Sequence, residues 1–312
     1  MADALTWTIG AGGLIGSAIH TQVKNPFQTS AIPWSNNTQA LQTLASDLSD
    51  FKTQAGAGPW TIIWAAGAAT VTSDETETAK ETALLKGFLE LLKAAAPAGR
   101  GVFFLVSSAG GVFAGAHNPP FDESSAPQPI SPYGHSKIAN EQNAQVLLAE
   151  SCRVVIGRFS NIYGPGQKLT KLQGLISRLA LSVATKEPIN VFVPLSTVRD
   201  YIYVDDAATN THAWINAAHA NADEQSQDPA IKLIASGQGT SVGQLIRITQ
   251  DVSHRKVPLA MGAHPSSAAQ AADLRFIPST PPGAPLPVTS MPVGVKHVVD
   301  SILRQLQQPV AQ

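Results

Sequence analysis

The chain has 312 residues, room for one large domain or two unequal ones at about 150 residues each. With 44% hydrophobic and 14% charged residues it can bury a sizeable core and is not disordered. Lys plus Arg number 21 against 22 for Asp plus Glu, a formal net charge of -1, which gives no global attraction to nucleic acid or an anionic membrane. The lone cysteine, Cys152, excludes an intramolecular disulfide framework and fits a reducing compartment. No apolar run approaches the ~20 residues of a spanning helix, and a glycine turn at Gly10 leaves no room for a signal peptide. The expectation is a cytoplasmic globular protein with no membrane partner.

In chain order, Leu5 to Ile9 reads as a strand, a glycine turn follows, and Leu14 to Val23 reads as a helix. From Asn37 to Ala55 the residues Leu41, Leu44, Ala45, Leu48 and Phe51 form a helical stripe, with Asn37 or Thr38 as cap. Only a short Gly/Pro segment separates this helix from the strand at Thr61; a full βαβαβ half would carry one more strand here, which is predicted to be missing or very short. Thr61 to Ala65, Val102 to Val106 and Arg153 to Phe159 are apolar runs suited to buried parallel strands. Between the first two, Leu84, Leu85, Phe88, Leu91 and Leu92 recur at helical spacing. Residues 116 to 132, rich in Pro and Ser, read as a long surface loop of the kind that often serves as a lid. Ala260 to Val288 shows little periodicity before a last helix from Val293 to Leu306. Alternating strands and helices point to an α/β fold built on a parallel sheet.

The turn Gly10-Ala11-Gly12-Gly13-Leu14-Ile15-Gly16 lies between the first strand and the first helix. There, bare backbone N–H groups and the positive helix end can hold a pyrophosphate. Its glycines follow Gly-x-x-Gly-x-x-Gly, because Ile15 stands where a dinucleotide fingerprint places its third glycine. No Asp or Glu occurs from Ala31 to Asn37 to bind an adenosine ribose, and no Arg to bind a 2′-phosphate, so NAD and NADP both stay open.

Tyr133 and Lys137 follow Ser131-Pro132, a helix start, and four residues apart they share a helix face. A phenol near an ammonium can exchange a proton with a hydroxyl or carbonyl while hydride passes to or from a nicotinamide. Ser107 and Ser108 end the strand Val102 to Val106, where the carboxyl ends of parallel strands line a site. Ser108 is a candidate for bonding the reacting oxygen, and equally a cap for its own backbone. The eight histidines show no metal-ligand spacing, so no metal is expected. Asp205-Asp206, at a helix start, read as caps, and Cys152 as buried filler.

These blocks resemble the extended short-chain dehydrogenase/reductases, specifically the NAD-dependent epimerase/dehydratase group acting on nucleotide sugars. The likeness is carried by the Gly10 turn, Trp64-Ala65-Ala66-Gly67, Ser107 to Phe113, Pro129 to Lys137, Arg158 to Gln167 and Arg199 to Asp206. It implies a Rossmann-type doubly wound parallel sheet over residues 1–165, to which the chain returns near 198–216. A smaller C-terminal α/β substrate domain would span 166–312. Cofactor contacts would come from Gly10, Gly13, Leu14, Ile15, Gly16, Ser35, Ala65, Ala66, Gly67, Ser107 and Ser160, ending at Tyr133 and Lys137. By the same likeness Tyr133 is the acid/base, Lys137 tunes it and binds the nicotinamide ribose, Asn161 touches substrate and Arg199 its diphosphate. A homodimer through the helix bearing Tyr133 is also implied.

Departures narrow the reading. Ala109 takes the place of the serine that is catalytic in UDP-galactose 4-epimerases, leaving Ser108 as the remaining hydroxyl. Ala109 and Gly110 also stand where sugar 4,6-dehydratases carry an Asp-Glu pair, which disfavours dehydration. A second diphosphate-binding Arg, expected just before Asp273, is absent, with Arg255, Lys256 or Arg275 as substitutes. The leading expectation is an epimerase of a nucleotide sugar. The rivals are a net reductase of a keto sugar or other carbonyl compound, and a non-catalytic dinucleotide-binding protein.

Overall fold

The structure, a computed structural model, describes residues 3–167, 174–220, 230–262, 271–283 and 288–307. The first half runs β1 (Leu5–Ile9), α1 (Leu14–Thr21), α2 (Asn37–Ala55), β2 (Trp60–Trp64), α3 (Glu75–Ala95), β3 (Gly101–Ser108), the short α4 (Ala109–Val112), α5 (Pro132–Leu148) and β4 (Arg153–Phe159). The second half runs β5 (Asn161–Tyr163), α6 (Leu175–Thr185), β6 (Ile189–Val191), β7 (Val198–Tyr203), α7 (Val204–Ala220), β8 (Ala230–Ile234), β9 (Gly239–Ser241), α8 (Val242–Ser253), β10 (Leu259–Met261), β11 (Asp273–Leu274) and α9 (Met291–Gln307).

The main sheet has the order β1-β2-β3-β4-β8, every pair parallel. β1 and β2 are buried along their whole length, as strands covered by helices on both faces must be. One face packs under α2, α3 and α5 around Trp7, Phe51, Trp60 and Phe88, whose rings meet edge-on or tilted. The other packs α1 and α7 over Ile19, Phe104, Phe159 and Trp214. A separate core forms where α6, α8 and α9 pack together around Leu179, Leu245 and Val298. It lies beside two small sheets, β10-β6 and β11-β7-β5, with β9 antiparallel to β7. This is the α/β arrangement anticipated from the strand and helix alternation, and it is Rossmann-like, as the family resemblance implied.

No strand lies between α2 and β2, as expected, and the extra pairing found is a single bridge upstream of α2, between α1 and α2. Thr6 donates to Asn25 O at 2.9 Å and accepts from Phe27 N at 2.8 Å, and pairing stops there. The next turn is fastened to α2 instead. Asp47, only 3% exposed, accepts from Thr29 Oγ1, Ser30 N and Ser30 Oγ at 2.7–2.9 Å. α2 is capped by Asn36, one residue earlier than anticipated, through Gln39 N.

Two sequence expectations are corrected. Residues 116–132 do not form a free surface lid. Phe121 is 3% exposed, stacks on Phe113 at 5.2 Å, packs on Phe276, and exchanges backbone hydrogen bonds with Arg275 O and Ile277 N. Glu123 reinforces the clasp by accepting from Ser279 and Leu233 N. The segment is the loop its composition indicated, but one buried aromatic pins it down. Asp206 does not cap α7; its carboxylate accepts from Thr289 N and Thr289 Oγ1, tying the approach to α9 onto α7. No helix among the described residues is long and apolar enough to cross a membrane.

Candidate active site

A cavity of about 570 Å³ opens at the carboxyl ends of the main-sheet strands and extends between the sheet and the α6/α8/α9 core. That is where parallel sheets bind ligands. Ile15, Ala65, Ala66, Gly67, Ser107 and Ser160 line it, as do Ser108, Tyr133, Lys137, Asn161 and Arg199. Of the predicted cofactor contacts, Gly10, Gly13, Leu14, Gly16 and Ser35 are not among the lining residues; Leu14 lines a smaller pocket, and Ser35 is exposed in the turn before α2.

At the Ile15 end the chain leaves β1 through Gly10, whose φ of +96° suits glycine; a Cβ there would lie 2.5 Å from the backbone N of Ala66, a lining residue. Gly12 faces open space, and Gly13 at the α1 N-cap offers no side-chain cap. The first N–H groups of α1 therefore lack a side-chain acceptor and form a cradle that fits a dinucleotide pyrophosphate.

At the other end, α5 begins with Ser131, whose hydroxyl accepts from Gly134 N, and with Pro132 in the first turn. Gly134 packs against Gly111 O so closely that no side chain would fit at position 134. A Cβ on Gly111 would lie 2.9 Å from two atoms of the Tyr133 ring. These two glycines let α5 seat directly on α4, and the Lys137 ammonium lies 5.1 Å from the Tyr133 ring centre. Glu81 approaches from α3 but is engaged by Ala68 N and Ala69 N, which fix the loop after β2.

The two serines differ. Ser107 Oγ donates to Glu141 Oε1 at 2.6 Å, and Glu141 in turn pairs with Arg158 at 2.7 Å, both charged groups 4% exposed. Ser108 Oγ accepts from Gly111 N at 3.1 Å, so it caps α4 and keeps its own proton to donate. The Glu141–Arg158 pair was missed by sequence reasoning. Its one signal is that Glu141 continues the Tyr133, Lys137 face of α5 by another four residues.

Arg199 lines the cavity from β7, with Nη1 bonded to Val198 O at 2.8 Å, and burial lowers its pKa. None of the suggested partner cations lines the cavity: Arg275 is ion-paired with Asp273 at 2.8 Å, and Arg255 and Lys256 are exposed. Arg178 of α6 does line it, and sequence reasoning missed it. Burial pushes the Cys152 thiol up to about 12, in keeping with inert packing.

The sequence profile of the NAD dependent epimerase/dehydratase family matches residues 8–226. The chain belongs to that family. This is the group that the resemblance implied. Curated relatives include an Escherichia coli dTDP-4-dehydro-6-deoxyglucose reductase, 32% identical over 33% of this chain and 33% of the relative. A Burkholderia thailandensis dTDP-L-rhamnose 4-epimerase is 31% identical over 39% of this chain and 32% of the relative. The chain thus aligns with about a third of the length of these two relatives. Among solved structures, Thermotoga maritima UDP-glucose 4-epimerase with UDP-glucose superposes with a TM-score of 0.75 at 20% identity, covering 97% of this chain and 100% of that one. Bacillus cereus UDP-glucuronic acid 4-epimerase with UDP-glucuronic acid and NAD gives 0.75 at 18%, covering 97% and 99%. At such identities these matches establish the fold.

Proposed function

We propose that the protein epimerises a nucleotide-activated sugar at a carbinol carbon, with NAD resident in the cavity. The observation that carries this reading is that Tyr133, Lys137 and Arg199 line one cavity, which Ile15 of the Gly10–Gly16 turn also lines. Bound NAD would supply the acceptor and later donor of a hydride. Tyr133 takes the hydroxyl proton as the carbinol is oxidised and returns it to the keto oxygen when the sugar is reduced from its other face, so protons and electrons balance over the cycle. Lys137 holds the nicotinamide ribose and places its positive charge beside the phenol. Ser108 donates to the reacting oxygen, Asn161 contacts the sugar, and Arg199 takes the diphosphate through its guanidinium fork. Residues 1–165, to which the chain returns near 198–216, form the cofactor unit, and residues 166–312 form the substrate unit. A cytoplasmic homodimer through α3 and α5 completes the reading; those helices pack side by side and Val146 of α5 is 74% exposed.

Purified protein incubated with UDP- and dTDP-hexoses is expected to change sugar configuration without net loss of cofactor. Tyr133→Phe should lower the rate by about a hundredfold or more. A wild-type rate equalled by Tyr133→Phe would overturn the assignment. A net reductase is the second reading, favoured by the Escherichia coli relative and by Ala109 in place of a catalytic serine; consumption of one NADH per sugar would establish it.

A further inference from the structure

We infer that Arg178 is the second diphosphate-binding cation of this cavity, supplying from α6 the charge that the segment before Asp273 lacks. This rests on the nucleotide-sugar reading and names a residue for it. Among the described residues lining the cavity, the charged side chains are Lys137, Arg178 and Arg199, and no carboxylate joins them. Lys137 stands at the Tyr133 end, which leaves two guanidinium groups for the remainder of the space. A pocket walled by cations alone calls for an anionic occupant. A diphosphate, with its negative charge spread over several oxygens, suits two planar forks.

The alternatives are engaged elsewhere. Arg275 gives Nε and Nη2 to Asp273 at 2.8–3.0 Å, and its side chain packs where a Cβ of Gly239 would stand. Arg178, by contrast, is half-buried, and no described carboxylate pairs with it. It is the sole charged residue in α6, an otherwise apolar and hydroxyl-bearing helix in which Ser177, Leu179 and Ala180 around it are buried. It also sits fourth from the start of α6, whose first turn holds no acid and whose cap, Gly174, offers no side-chain acceptor. A cation near the positive end of a helix is disfavoured unless an anion shares the space.

Titration calorimetry on the full chain with UDP, UMP, dTDP and dTMP tests this. Arg178→Met is expected to weaken UDP or dTDP binding about ten- to a hundredfold, the range for lost hydrogen bonds to a charged group. The monophosphates should lose less, and NAD affinity and the urea midpoint should stay as in the wild type. Arg178→Lys should restore part of the loss. If Arg178→Met binds the diphosphates as the wild type does while Arg199→Met does not, the inference is wrong and the nucleotide-sugar reading stands. If the wild type prefers neither diphosphate over its monophosphate, both fall. Diphosphate binding lost in Arg178→Met, in a protein that turns over no nucleotide sugar, would uphold the inference and overturn the epimerase reading.

Discussion

Replacing Glu141 with Leu removes the carboxylate from a pocket where its partners cannot reach water. Arg158 is 4% exposed at its side chain and loses three contacts of 2.7–3.3 Å, while Ser107 loses its 2.6 Å acceptor. Breaking one side of a buried pair costs about 3–5 kcal/mol, and an orphaned hydroxyl adds about 1–3 kcal/mol. Against a typical total of about 5–15 kcal/mol, this is a large share of the stability. The assay is urea unfolding followed by circular dichroism, read as a fall in midpoint at constant slope. Glu141→Leu with Arg158→Met together should recover most of the loss, because an apolar pair of similar volume replaces both charges. A single-variant loss under about 1 kcal/mol, or a double variant as unstable as the sum of the singles, would refute the reasoning.

Further outcomes follow from the α4–α5 contact and from two histidines. Gly111→Ala should cut turnover sharply, since its Cβ would press on the Tyr133 ring at 2.9 Å, whereas Gly110→Ala meets nothing within 4 Å and should leave Tyr133 undisturbed. Steady-state rates of the two variants side by side check this, and equal rates would count against Tyr133 being held by that contact. His212 and His219 have pKa values lowered chiefly by burial, His219 further by the charge of Arg100. The unfolded chain therefore takes up their protons first. Their contribution is whole above the ordinary histidine value near 6.5 and is lost as pH falls below it. Urea midpoints between pH 7.5 and 5.5, about one unit either side of that value, should fall less steeply in a His212→Gln, His219→Gln double variant; an unchanged slope would exclude them.

Much of this was legible because it is local. The stripe from Leu41 to Phe51 announced α2, and the short gap after it announced that α2 runs straight into β2 with no strand between. The Tyr133–Lys137 spacing put both on one helix face before any fold was known. What stayed hidden depends on pairing across the sheet. Ser107, Glu141 and Arg158 are separated by 34 and 17 residues and meet only once β3 lies beside β4 with α5 across them. Phe121 is one ring in a Pro/Ser-rich stretch, and nothing short-range links it to Phe276. Arg178 had a signal that could have been weighed, a lone cation in an apolar helix.

The vestigial pairing at Pro26 has a consequence for how molecules of this protein coexist in solution. Beyond that bridge β1 borders no regular strand, yet its residues are buried, so irregular chain rather than a paired strand covers a margin of the kind that recruits foreign strands. A proline at the bridge and a turn anchored by Asp47 stand over this margin. Loss of Asp47, whose carboxylate fastens Thr29 and Ser30, is therefore expected to show first as turbidity on concentration rather than as slower turnover.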